Sequence, residues 1–232
     1  MANILDQYGI KEVADVTLYD LKTGLPVLYL DTLKVSTIEQ TAEQAEARGG
    51  KGNSPLIIWD YGKEITVNLE DALFTPKSMH VMFGSSDTTL SAATATVTKM
   101  KYVPVDEAGT YTVPTGATAL YFSADDMATV TTAPTNAAFY VEETFTSVPS
   151  TYTIEVSANS FPGTYKLVGD TYARNKETGA DEYFQFIIPQ AKMGAENTLT
   201  LEAEGDPTVF NMSMRVLRPR DGVMMKLVKY TL

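Results

Sequence analysis

Cysteine is absent from this 232-residue chain, which excludes disulfides, thiolate zinc sites and cysteine nucleophiles in any compartment. Histidine occurs once, as His80 in Lys77-Ser78-Met79-His80-Val81-Met82-Phe83, and a lone histidine among apolar neighbours reads as structural. A serine–histidine–aspartate triad built on it would need a serine on a strained turn, and no nucleophile-elbow sequence is present. Basic residues are few, 18 against 29 acidic ones, for a net charge of −11. That balance argues against tight nucleic-acid binding, which needs cations to neutralise phosphates. It does not exclude a protein past which nucleic acid slides without sticking. No apolar run approaches the about 20 residues of a membrane-spanning helix. Met1-Ala2-Asn3-Ile4-Leu5-Asp6-Gln7 lacks the basic segment and apolar stretch of a signal peptide. The expectation is a soluble protein, made and kept in a cytoplasm.

What is present is an ordinary globular balance, with 44% hydrophobic and 20% charged residues. A chain of this size buries roughly 70% of its unfolded surface, so one large β-rich domain, or a domain with an insertion, needs no staples. The most informative stretch starts at Trp59. Trp59, Tyr61, Ile65, Val67 and Leu69 alternate with Asp60, Glu64, Thr66 and Asn68, the pattern of a half-buried strand. The period then changes. Asn68 is a helix-capping residue type, Glu70 and Asp71 suit a helix N-terminus, and Leu69, Ala72 and Leu73 recur at helical spacing. A helix is therefore predicted from about Asn68, with Thr75-Pro76 as a second start.

Upstream, Asp15 to Ser36 predicts a hairpin turning at Lys22-Thr23-Gly24. Thr37 to Ala47 is ambiguous. Ile38, Ala42 and Ala45 make a thin helical stripe, whereas a strand sets Glu39 and Glu43 with Thr37 and Thr41 on one face, opposite Ile38 and Ala42. Arg48-Gly49-Gly50-Lys51-Gly52-Asn53-Ser54-Pro55 is a flexible loop; its glycine spacing fails the phosphate-loop pattern. From Ser85 to Pro149 Ala and Thr dominate, and Thr110 to Val113 and Ala119 to Phe122 predict small inserted hairpins. After Thr151, strands are predicted at Tyr165–Ala173, Glu182–Ile188, Thr198–Ala203, Val209–Leu217 and Val223–Thr231, separated by turn residues, as in a sandwich or barrel.

Catalytic hardware is sparse. Glu142-Glu143 and Asp125-Asp126 are carboxylate pairs, but glycosidase chemistry needs two carboxyls converging about 5 to 10 Å apart, and nothing in the sequence marks such a pair. Charge distribution says more. If Thr37–Ala47 and Leu56–Leu69 pair, one face carries Glu39, Glu43, Asp60 and Glu64, while Arg215, Arg218, Arg220, Lys226 and Lys229 cluster near the C-terminus. Solvated faces account for this in a monomer; complementary surfaces between subunits account for it in an assembly.

Three segments carry a family resemblance: Gly49-Gly50-Lys51-Gly52-Asn53 through Asn68-Leu69-Glu70-Asp71-Ala72-Leu73, then Phe161-Pro162-Gly163-Thr164-Tyr165-Lys166-Leu167-Val168-Gly169, then Gly205-Asp206-Pro207-Thr208-Val209-Phe210-Asn211-Met212 with Met225-Lys226-Leu227. In these the chain resembles the tail tube (major tail) proteins of tailed bacteriophages. The resemblance implies a mainly β fold of two packed sheets, sandwich- or barrel-like, with a short flanking helix and a long hairpin. The core would span 1–84 and 150–232, with 85–149 as an inserted β subdomain on the outside. It also implies that Thr37–Ala47 is a strand of the hairpin, whose apolar face, with Trp59, Tyr61, Ile65 and Val67, backs onto the core. Hexameric rings would stack into a conduit for DNA ejection, lined by Glu39, Glu43, Asp60 and Glu64. Contacts between rings or subunits would come from Arg48, Gly49, Gly50 and Lys51 and from Arg215, Arg218 and Arg220. Implied partners are further copies of the chain, the tape measure, the tail tip or baseplate, the terminator, and DNA passing without specific binding. The location implied is the virion tail, assembled in the host cytoplasm. No enzyme activity, cofactor or metal is implied. The rivals are a β-sandwich carbohydrate-binding or adhesin module, for which Tyr111, Tyr121 and Tyr140 are candidate aromatics, and a tube protein of a contractile secretion machine.

Overall fold

A computed structural model describes residues 6–84, 93–196 and 209–230, apart from the side chains of 93 and 147–151. The protein is mainly β, with two antiparallel sheets and a sandwich-like character. In chain order the elements are β1 (Tyr8–Ile10), β2 (Asp15–Asp20), β3 (Pro26–Leu30), β4 (Leu33–Gly49), β5 (Ser54–Asp71) and helix α1 (Pro76–Phe83). Next come β6 (Ala93–Val103), helix α2 (Val105–Ala108), β7 (Ala117–Ser123), β8 (Thr129–Val130) and β9 (Phe139–Thr151). The chain ends with β10 (Thr164–Asn175), β11 (Asp181–Met193), β12 (Phe210–Val216) and β13 (Lys226–Tyr230). It divides into two compact units, residues 1–87 with 155–232 and residues 88–154.

The first unit is a nine-stranded sheet ordered β3-β2-β10-β11-β12-β5-β4, with β1 added to β10 and β13 to β11. Its terminal strands, β3 and β4, are joined only by Asp31 and Thr32. Two residues span well under about 11 Å, so the sheet curls until its ends approach, giving an incomplete barrel. Alternation fills its interior: Val16 and Leu18, Leu28 and Leu30, Ile65, Val67 and Leu69, and Met212 and Met214 are buried together with Val81 and Met82 of α1. Each such side chain contributes about 1.5–3 kcal/mol. Gly24 closes the β2–β3 turn at φ +70°, and the Asp20 carboxylate accepts the Lys22 and Thr23 amides.

One local prediction needs correction here. The helix does not begin near Asn68. Residues 68–71 continue β5, because Leu69 and Asp71 lie opposite Met212 and Phe210 and Leu69 is fully buried, which outweighs weak helical spacing. Asp71 instead accepts the Thr32 hydroxyl at 2.5 Å. The helix starts at the second signal: Thr75 caps the Ser78 amide, Ser78 returns a bond to Thr75, Pro76 opens the first turn, and Gly84 ends it at φ +64°. The ambiguous stretch 37–47 is strand, paired with β5 from Leu33↔Asp71 to Gly49↔Ser54. The predicted strand Thr198–Ala203 lies outside the described residues.

The second unit is a four-stranded sheet ordered β6-β9-β7-β8. One face carries a small core of Val103, Ala108, Phe139 and Val141, with Tyr111 and Tyr121 packed against it. Residues 111–113 form a loop, not the predicted strand. Tyr111 donates to the buried Glu143 at 2.9 Å, and burial followed by that bond pushes its phenol up to about 12.

Candidate functional site

The β4–β5 hairpin is the longest feature of the fold and outruns the core. Ile65, Val67 and Leu69 are buried, but from Thr41 through Glu64 nearly every residue is exposed. Strand β12 covers the outer edge of β5 only over residues 66–71. Beyond Thr66 the two strands form a ribbon whose edges are both open among the described residues. At its tip Gly50, Gly52 and Asn53 take left-handed backbone conformations, φ +79°, +92° and +49°, and Asn53 donates to the Gly50 carbonyl. The glycines are therefore requirements of the turn, while Lys51 between them is free to reach outward.

The register decides which side chains share a face. Thr41 lies opposite Glu64, yet Glu43 lies opposite Tyr61, so β5 spends one extra residue across from Ala42. Gly62, at φ +61°, makes this bulge possible. A bulge reverses strict alternation. Glu39, Thr41 and Glu43 consequently share a face with Thr66, Glu64, Tyr61 and Trp59, whereas Asp60 joins Gln44 on the opposite face and accepts its amide at 2.9 Å. Of the four predicted acidic residues, the structure brings together Glu39, Glu43 and Glu64 and turns Asp60 away. Trp59 and Tyr61 do not back onto the core; they are each 53% exposed, on the acidic face. An isolated glycine within a strand pattern is the sequence signal for such a bulge.

This face has a gradient. Nearest the core are the paired rows Thr37, Asn68 and Ser213, then Glu39, Thr66 and Arg215. Ser213 donates to Asn68 at 2.8 Å, and Arg215 forms an ion pair with Glu64. Further out come Thr41 with Glu64 and Glu43 with Tyr61, then Ala45 with Trp59 and Ala47 with Ile57. Polar and acidic chemistry thus gives way to exposed apolar surface towards the tip, where Leu56, Ile57 and Ile58 are also more than half exposed. Arg48 pairs with Glu46 at 2.5 Å, and Arg218 and Arg220 stand exposed in the segment after β12.

The other singled-out residues do not converge. His80 is buried in α1. Glu142 and Glu143, adjacent on β9, point to opposite faces of its sheet, and Asp126 accepts the Ala128 amide in a turn.

A model of the YomU/Tube protein family matches residues 8–229. The chain belongs to the YomU/Tube family. No curated protein matches it. As a YomU/Tube protein it is a phage tube-type structural protein of the virion tail, and self-association is the general expectation for it. The matched range begins and ends in the first unit and encloses the second. Among the described residues, no helix is long and apolar enough to cross a membrane.

Proposed function

We propose that this chain is the repeating subunit of a phage tail tube, assembling into hexameric rings that stack into the conduit for DNA ejection. The observation that carries the proposal is the hairpin: a ribbon with two open edges and exposed Ile57, Ile58, Trp59 and Tyr61. Such a ribbon is marginal alone and a liability in solution. Pairing with the ribbons of neighbouring copies removes the edges, and closing the circle into a barrel removes them all. The face that carries Glu39, Glu43 and Glu64 turns to the channel, and the apolar outer half of the ribbon packs against the ring stacked next to it.

An acidic lining suits the task. Each phosphate neutralised by a fixed cation would release counterions and hold the DNA, whereas carboxylates keep the backbone at a distance with water between. Arg215 is already paired with Glu64 and Arg48 with Glu46, which leaves the exposed Arg218 and Arg220, with Lys51 at the tip, for contacts between subunits or rings. The second unit decorates the outside of the tube. The tape measure, the tail tip or baseplate, and the terminator meet the tube inside and at its two ends, and assembly takes place in the host cytoplasm.

The test is electron microscopy of the purified protein across a concentration series, with Trp59→Asp beside it. Rings or tubes with a central channel are expected from the parent, and dispersed monomers of unchanged melting temperature from the variant. Tubes that still form with Asp at position 59, or a channel lined by another strand, would refute the assignment of this face.

A further inference from the structure

The second unit has one face that its core does not use. Strands β6, β9 and β7 set three rows across it: Tyr102, Tyr140 and Phe122; Met100, Glu142 and Leu120; and Thr98, Thr144 and Thr118. Met100, Tyr102 and Leu120 are each at least half exposed. The Tyr102 and Tyr140 rings are 5.1 Å apart and inclined by 54°. Tyr111 and Tyr121, by contrast, pack on the opposite face and are committed to the small core. An aromatic row beside a carboxylate and a row of hydroxyls, on an open sheet, is the composition of a recognition surface rather than of a solvated face.

Charge selects the occupant. Glu142 stands in the middle row, while Lys99 and Lys101 of the same strand face the other way, opposite Glu143 and Val141. A second copy docked face to face would set two Glu142 carboxylates against each other with no cation between them, a costly arrangement. An anionic polymer meets the same carboxylate on a chain of net charge −11. A neutral, hydroxyl-rich chain meets neither obstacle. Its C–H faces stack on the rings, its hydroxyls donate to Glu142, and the threonines exchange hydrogen bonds with the rest. Rings inclined to one another suit a free, twisting chain rather than a flat crystalline surface.

We propose that this face of the second unit, centred on Tyr102, Tyr140 and Glu142, is a binding site for a neutral polysaccharide. The site is independent of the hairpin, so the result is read on the full chain whether or not rings form.

The experiment is affinity electrophoresis of the full-length protein through gels containing laminarin, soluble starch, mannan or hydroxyethyl cellulose, with alginate as the anionic control. Retardation is expected in at least one neutral gel and not in alginate. Tyr102→Ala and Tyr140→Ala should each weaken it by about tenfold, the loss of one aromatic contact. Glu142→Gln should weaken it less, and Lys99→Ala on the opposite face should leave it unchanged. A measurement that needs no variant is peroxide oxidation of Met100, which the retarding polysaccharide should slow. No retardation in any neutral gel, retardation insensitive to Tyr102 and Tyr140, or a face covered by a protein partner would each overturn the proposal.

Discussion

Gly169 shows how much a single position carries. It lies on the buried side of β10 directly opposite Phe186, and a Cβ built there would overlap the Phe186 ring. Its backbone is not strained; the missing side chain is simply the room the ring occupies. Gly169→Val should therefore force Phe186 out of its position and destabilise the fold by about 1–3 kcal/mol, read as a lower urea midpoint with unchanged slope. The cluster at the other end of the same strands makes a prediction in pH. The Lys229 ammonium pairs with Glu182, which also accepts from Asn175 at 3.0 Å. The bond to Lys229 first, with help from Asn175, lowers Glu182, and the bond to Glu182 first raises Lys229. A lowered carboxylate stabilises above its unfolded value and loses that contribution as pH falls through the folded one. A raised ammonium stabilises below its unfolded value and loses its contribution as pH rises past it. The pair should stabilise fully between about pH 4.5 and 10, and Glu182→Gln should lower the melting temperature there while flattening its fall at both extremes.

At the scale of the element, the hairpin depends on Gly62. Its left-handed conformation costs an L-residue about 1–2 kcal/mol, so Gly62→Val should favour an unbulged ribbon in which Trp59 and Tyr61 move to the opposite face. Removing residue 62 altogether should do the reverse of what intuition suggests. With the extra residue gone, strict alternation already places Tyr61 and Trp59 beside Glu64. Light scattering should show assembly lost in Gly62→Val and retained in the deletion, with Trp59, the only tryptophan of the chain, reporting its own burial by fluorescence. Assembly lost equally in both would mean that the bend at the bulge matters more than the face. The α1 helix teaches a related lesson. Asn68 and Thr75 are both capping residue types, and the choice between them was made by β12, whose Phe210 and Met212 hold residues 69–71 in the sheet.

At the scale of the whole molecule, the net charge of −11 is a statement about what must not bind. Replacing Glu39 and Glu43 by Lys should leave the monomer folded, since both are exposed, and should make the assembled protein retain DNA. That retention should fall steeply as salt rises, with a slope that grows with the number of phosphates contacted. DNA that passes the variant as freely as the parent would place the channel elsewhere.

The sequence by itself determined the class of this protein. Alternation at 65–69 and 210–216, turn glycines such as Gly24 and Gly179, absent cysteine and scarce cations specify a β-rich protein with a poor affinity for polyanions, because each of these is a local or additive property. The acidic residues were legible too, but not their grouping. Tertiary structure alone decided that 68–71 stays in the sheet, that Trp59 and Tyr61 stand in solvent on the acidic side, and that Asp60 does not share that side. It also decided which tyrosines of 88–154 lie on the open face of the sheet and which serve the core. The physical reason is common to all of them: a face is a relation between paired strands. One left-handed glycine or one neighbouring strand reverses that relation without altering the pattern along the chain.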